Sequence, residues 1–220
     1  LLKDARLFLS SETHYDDIGM HWARGYAFLG PPGNGKSSIS KWLACKLRMN
    51  LCIIKQQIYT SGSFASLMEN CPENSIIVIE DFDTLFDIEK RKEDTDEKVV
   101  KKIKRKDDNG IITLGEILNA IESPLRRRKT ILIISSNMEN KIEPALLRPG
   151  RIDKIIRLPN ATYEQVINLF NFHFPKQSNQ SEQFAKLAMS SDKELSMADI
   201  RGVLMYETTN KALNELKKIL

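Results

Sequence analysis

The chain has 220 residues, 41% of them hydrophobic and 28% charged, with a formal net charge of +4. That is enough to bury a real core in one domain, or in a large domain plus a small one, and too mild a charge to mark a general nucleic-acid binder. No apolar run is long enough to cross a bilayer and no signal-peptide pattern opens the chain. Cys45, Cys52 and Cys71 lack metal-ligand spacing and read as reduced, mostly buried thiols of an intracellular protein. His14, His21 and His173 are scattered and form no cluster with carboxylates. Because the chain begins Leu1-Leu2-Lys3 without an initiator methionine, it is expected to be part of a longer protein.

Five apolar runs predict strands, at 26–29, 51–55, 76–79, 131–134 and 155–158. Most are rich in β-branched residues and do not alternate, as expected of parallel strands covered on both faces. Helical spacing occurs between them at 37–48, 63–70 and 113–122. Alternating strands and helices imply an α/β doubly wound sheet of five parallel strands, with its ligand at the carboxyl ends. After Pro159 the pattern changes to helical spacing alone, over 162–174, 180–190 and 197–219. The expected organisation is an α/β core over 1–159 and a small all-helical lid domain over 160–220. The almost wholly charged segment 87–110 lacks a core face and is expected to be a mobile surface loop.

Residues 30–37 read Gly-Pro-Pro-Gly-Asn-Gly-Lys-Ser, matching G-x-x-x-x-G-K-[ST] without departure. A predicted strand precedes the run and a predicted helix follows it, which is the context of a P-loop NTPase. Glycines at 30, 33 and 35 permit backbone geometries that turn successive N–H groups onto phosphate oxygens. The helix starting near Lys36 adds its unpaired donors and dipole. Lys36 is positioned to reach the β- and γ-phosphates, and the Ser37 hydroxyl to help hold magnesium. Gly30, Pro31, Pro32, Gly33, Asn34, Gly35, Lys36, Ser37 and Ser38 make up the expected ATP-binding set. A glycine-rich turn with a chance lysine does not account for the flanking strand and helix.

The run Ile76-Ile77-Val78-Ile79-Glu80-Asp81-Phe82-Asp83 ends a buried strand in acids. A magnesium–ATP site needs one carboxylate for the metal's shell and one to orient or deprotonate the attacking water. A strand emerging into solvent is the bland explanation, and three acids at that end weigh against it. Ser135-Ser136-Asn137 ends the 131–134 run, where a neutral Asn can hydrogen-bond the γ-phosphate or the water, although Ser and Asn also form ordinary turns. In Glu143 to Asp153, Pro144 is expected to start a short helix that Pro149-Gly150 stops. Arg148 and Arg151 then project where the chain turns, with no folding role required of Arg151.

This set, in this order, resembles the AAA family of ring-forming ATPases, whose second region of homology reads much like Ser136 to Asp153. The resemblance implies that Asn137 senses the γ-phosphate and that Arg151 is the finger reaching a neighbour's nucleotide. A frequent second arginine is replaced by Lys154. Within the family the chain is similar to the Bcs-type chaperones of the mitochondrial inner membrane, which help assemble respiratory complex III. Arg24-Gly25-Tyr26, Cys71-Pro72-Glu73-Asn74-Ser75, Ile112-Thr113-Leu114 and Leu118-Asn119-Ala120 carry that similarity. Leu195-Ser196-Met197-Ala198-Asp199-Ile200 resembles the start of the lid helix, with Ala198 near the nucleotide. The acids stand as Glu80 then Asp81, inverted from the usual family order and shared with the Bcs type. By position Glu80 serves the magnesium with Ser37, and Asp81 the water; by residue type the roles reverse.

The resemblance thus implies a magnesium-dependent ATPase working as a homo-oligomeric ring on a protein substrate, with Asp81, Glu80, Asn137 and Arg151 as its catalytic residues. Tyr59 to Phe64 lacks the aromatic-hydrophobic-Gly motif of unfoldases that grip an extended chain. Two other readings stay open. One is a P-loop ATPase acting on nucleic acid through the basic stretches at 90–106 and 126–129, although both also read as solvated segments and no nucleic-acid partner is expected. The other is a nucleotide-gated scaffold without turnover. A mitochondrial inner-membrane address is implied only if an anchor lies upstream.

Overall fold

The computed structural model describes residues 1–19, 21–54, 61–83, 114–123, 128–190, 194–206 and 208–220. The charged segment 87–110 and the basic stretch 90–106 lie outside the described residues. Strands β1 (Ala23–Leu29), β2 (Asn50–Ile54), β3 (Ser75–Ile79), β4 (Thr130–Ser136) and β5 (Lys154–Arg157) form one sheet. It is five-stranded and all-parallel, in the order β2-β3-β4-β1-β5. Every residue of β3 and β4 is buried, which is why those runs do not alternate. Edge strand β5 is mostly exposed and carries Lys154 and Arg157 at its ends.

Helices α1 (Leu2–Leu9), α2 (Glu12–Asp17), α3 (Lys36–Leu47), α4 (Ser61–Asn70) and α5 (Leu114–Glu122) accompany the sheet. Phe64 and Met68 of α4 and Ile117 and Ile121 of α5 pack in one cluster with Ile77, Ile79, Leu132 and Ile134. The short helix expected from Pro144 is instead a pair of tight turns, in which Leu146 N–H donates to Glu143 and Leu147 N–H to Pro144. Pro149 lacks an N–H and disfavours helical geometry at Arg148, so no helical ladder can develop between the two prolines. The thiols also differ from expectation: only Cys71 is buried, whereas Cys45 is exposed and Cys52 half-buried.

By its contacts the chain divides into two compact units, Leu1–Leu29 with Ser37–Ile156, and Gly30–Lys36 with Arg157–Leu220. The second unit holds α6 (Tyr163–His173), α7 (Ser181–Ala188), α8 (Met197–Leu204) and α9 (Thr209–Ile219) around Val166, Phe170, Phe184, Leu204 and Leu216. Phe170 and Phe184 meet at 5.1 Å between ring centroids. Reciprocal caps start α6, through Thr162 and Gln165, and α8, through Ser196 and Asp199. The helical spacing over 197–219 resolves into two helices because Thr208 caps a new start, its Oγ1 accepting from Lys211 N–H.

The sequence reading expects neither α1 nor α2, and α1 docks through buried Ala5 and Phe8 and through the carboxylate of Asp4. Asp4 accepts from Arg24 Nη2 at 3.0 Å, Tyr26 Oη at 2.7 Å and Lys154 Nζ at 2.6 Å. Burial pushes the Asp4 carboxyl up. The hydrogen bonds from Lys154 and Tyr26 and the charges of Arg24 and Lys154 outweigh it and hold the group below the usual carboxylate value. The same pairing, after burial, raises the Tyr26 hydroxyl. A carboxyl depressed in the folded state stabilises the fold above its unfolded value, about pH 4, and loses that contribution as pH falls through the lower folded value. Asp4→Asn is therefore expected to cost about 1–3 kcal/mol in urea unfolding at neutral pH. It should also flatten the acid limb of the stability profile; an unchanged acid limb would show that Asp4 does not hold α1.

Candidate functional site

Glycine geometry shapes the 30–36 loop. Gly30, Gly33 and Gly35 have φ of +146°, +81° and +86°. At Gly30 a Cβ would stand 2.1 Å from the Leu158 carbonyl oxygen, and at Gly33 2.7 Å from Ser196 Oγ. No side chain fits either position. Around Gly35 the space is open, so there it is the backbone angle that favours glycine. Lys36 is buried, and its Nζ donates to the carbonyls of Gly30 at 2.6 Å and Pro31 at 2.9 Å. The ammonium is thus folded back over the loop whose backbone it follows. Asn34, also buried, donates from Nδ2 to Asn160 Oδ1 and accepts at Oδ1 from Met197 N–H. Ala198 N–H donates to Gly33 O at 3.1 Å. These contacts all lie in the helical unit.

In the sheet unit, the strand register sets the height of the polar ends. Leu29 lies opposite Ser136 and Ile79 opposite Ile134. Glu80, Asp81 and Asn137 therefore emerge from the carboxyl ends of two adjacent strands. Ser37 Oγ donates to Glu80 Oε1 at 2.6 Å. Asn137 Nδ2 donates to Asp81 Oδ1 at 3.1 Å. The two acids thus have different company, a hydroxyl for Glu80 and an amide for Asp81. Asp81 sits at φ +47°, in the left-handed region that Asp tolerates better than most residues, and is exposed. Its backbone N–H meets Ser135 Oγ at 3.4 Å.

Asp83 was one of three acids in the run and received no role from sequence alone. It is 4% exposed, and its Oδ1 accepts from the Asn137 backbone N–H at 3.2 Å. The amide of Asn137 is thereby held by one acid through its side chain and by another through its backbone. No local signal marks this pairing; only the spatial neighbourhood of β3 and β4 brings Asp83 to Asn137.

Arg151 departs from expectation. Its side chain is only 12% exposed; Nε donates to Glu122 Oε1 and Nη1 to the Ala145 carbonyl, both at 2.6 Å. The hydrogen bond and charge of Arg151 lower the Glu122 carboxyl. The guanidinium is therefore anchored to the end of α5 and to the turn before it, and it has a structural role in the protomer. The same segment abuts β1: Asp153 Oδ2 accepts from Gly25 N–H at 2.8 Å, and a Cβ on Gly25 would fall 1.8 Å from the Arg151 carbonyl oxygen. Arg148 is exposed, and no role is assigned to it. At the edge of the former basic candidate, Arg128 pairs with Asp16, and Lys129 Nζ lies 5.7 Å from the Trp22 ring centroid.

Hard oxygen donors are what a magnesium ion takes, and it is commonly held by one or two protein ligands plus phosphate oxygens and water. Ser37 and Glu80 supply such a pair in contact, so the residues fit the ion. No larger cluster of His, Cys, Asp and Glu with metal-binding geometry occurs among the described residues. A loop with three glycines at positive φ, followed by a lysine and a helix start, likewise fits a polyphosphate.

Comparison with known proteins shows the family. The model of the ATPase family associated with various cellular activities (AAA) matches residues 26–160. The probable mitochondrial chaperone BCS1-A of Dictyostelium discoideum is 30% identical over 225 aligned residues, 100% of this chain and 52% of its own length. The mitochondrial chaperone BCS1 of Homo sapiens is 27% identical, with 93% of this chain and 48% of that protein covered. AAA-ATPase At2g18193 of Arabidopsis thaliana is 32% identical over 74% of this chain and 32% of its own. The chain spans about half the length of the BCS1 relatives it matches. No helix among the described residues is long and apolar enough to cross a membrane. With the family model covering well over half of its residues, and a phosphate-loop sequence, parallel sheet and acidic strand end of the matching kind, the chain belongs to the AAA family of ATPases.

Proposed function

We propose that this chain is the ATP-hydrolysing module of a ring-forming, chaperone-like AAA ATPase that remodels or moves a protein substrate. The observation that carries the reading is the separation of partners at the end of β3, with Ser37 on Glu80 and Asn137 on Asp81. Hydrolysis needs that division of labour. Residues 30–38 would wrap the phosphates, with Lys36 leaving its loop carbonyls for the β- and γ-phosphate oxygens and Ala198 lying near the nucleotide. Ser37 and Glu80 would hold magnesium, which when bound neutralises charge on the β- and γ-phosphates. Asp81 would accept the proton of the attacking water, and Asn137 would orient that water or the terminal phosphate. The similarity of the chain to mitochondrial BCS1 chaperones supports a protein substrate and a mitochondrial setting; an inner-membrane address would require an anchor elsewhere in the whole protein. The core over 1–159 and the helical lid over 160–220 belong to the same proposal.

Asp81→Asn is expected to bind ATP normally and to lose turnover, because the amide keeps the shape and removes the base. Glu80→Gln should instead raise the magnesium concentration needed for half-maximal activity. Titrating magnesium against ATPase rate in both variants separates the roles, and exchanged phenotypes would assign them by residue type.

Arg151 tests the ring. In a neighbour's site its guanidinium would stabilise charge spread over the transferring phosphoryl group. Arg151→Ala should then bind ATP and hydrolyse it about 10³-fold more slowly. Lys36→Ala should lose ATP binding itself. Mixing the two inactive variants should restore some activity, since an intact arginine can meet an intact phosphate loop. Inactivity of demonstrably mixed assemblies would point to an arginine acting only within its own protomer.

A further inference from the structure

The N-terminus of α8 is completed by the phosphate loop. A helix start leaves its first backbone N–H groups without partners inside the helix. Here the Met197 N–H donates to Asn34 Oδ1 at 2.9 Å, the Ala198 N–H to Gly33 O at 3.1 Å, and the Asp199 N–H to Ser196 Oγ at 3.1 Å. Two of these three acceptors come from the loop, far away in sequence. The other end of the Asn34 amide donates to Asn160 Oδ1 at 2.8 Å, and Asn160 Nδ2 donates on to Glu194 Oε2 at 2.7 Å. Asn34 is 6% exposed, so an unpaired end would be costly to leave. Only a carboxamide offers an acceptor and a donor together in this shape.

We infer that Asn34 and Asn160 are positioning residues that couple the state of the phosphate loop to helix α8. Any ligand that fixes the Gly33–Asn34 segment fixes two caps of α8 at the same time, and loosening that segment uncaps the helix. The coupling lies wholly inside the helical unit and needs no rearrangement of the sheet. By reciprocity, a partner that pulls on α8 changes the affinity of the loop for its phosphates. The inference rests on the nucleotide-binding reading.

Hydrogen exchange of the 197–199 amides tests it in the whole chain, without nucleotide and with magnesium and ATPγS, alongside the affinity for a fluorescent ATP analogue. In the wild type, nucleotide should raise protection at these amides. In nucleotide-free Asn34→Ala, protection at Met197 should fall about five- to tenfold, and the nucleotide-dependent gain should largely vanish. Asn160→Ala leaves the direct Met197 acceptor in place and should still shrink the gain. Asn160→Asp combined with Glu194→Gln keeps an acceptor facing Asn34 and reverses the sense of the outer bond, so it should restore the gain. If Asn34→Ala fails to fold, the two Asn160 variants decide. A full gain in Asn34→Ala or in Asn160→Ala, with normal nucleotide binding, overturns the coupling alone. Absence of nucleotide binding in the wild type overturns the nucleotide reading and the coupling with it.

Discussion

The pairing of β4 with a strand on each side is the constraint on which the sheet unit depends. All seven of its residues are buried, and its backbone groups bond to β1 and β3 in fixed register. A slip by one residue would turn its side chains to the opposite face and move every strand end relative to the next. The polar groups at those ends work only as a set: Asn137 meets Asp81 and Asp83 because β4 runs two residues past the end of β3, where Ile79 lies opposite Ile134. The precision of the candidate chemistry is thus inherited from apolar packing that contains none of the chemistry. Ile76 to Ile79 and Ile131 to Ile134 hold the acids and the amide where they are.

Much of this was legible in the chain because it is written locally. Buried parallel strands announce themselves as short β-branched runs, and the phosphate loop as glycines at fixed offsets before a lysine. Helices α1 and α2 escape the sequence reading because both are short, α1 burying only Ala5 and Phe8 and α2 burying no residue. The Asp4 node, the Asp83–Asn137 bond and the Asn34–Met197 bond were illegible for another reason: each joins residues distant in sequence, and no periodicity encodes such a meeting. The helix placed at Pro144 failed on a local rule, since two prolines so close leave too little room for a helical ladder. Arg151 was read correctly as the end of a turn and incorrectly as idle in its own protomer.

That correction bears on the proposed finger. A guanidinium held by Glu122 and the Ala145 carbonyl is already aimed and partly desolvated. Moving it into a neighbour's site would exchange one carboxylate and one carbonyl for phosphoryl oxygens. Glu122 is half-exposed, so the pair it forms is screened by water and weak enough to be exchanged. An Arg151 buried against a dry partner would be a poor candidate for that exchange; this one is held in place without being locked.

Gly25 shows how an absent group can matter as much as a present one. Its neighbours Arg24 and Tyr26 bind Asp4 with charge and hydroxyl, whereas Gly25 bonds Asp153 through its backbone and, by lacking a side chain, lets the Arg151 carbonyl approach β1. It acts as a spacer of zero thickness. Even one methyl group there would have to lever the segment carrying Arg151 and Asp153 off the strand, carrying the guanidinium away from Glu122 without altering an atom of either. In a survey of natural variants, a glycine-to-alanine change in a buried strand would be scored as mild. At this position it would amount to a lesion of the arginine, delivered from the other side of the backbone.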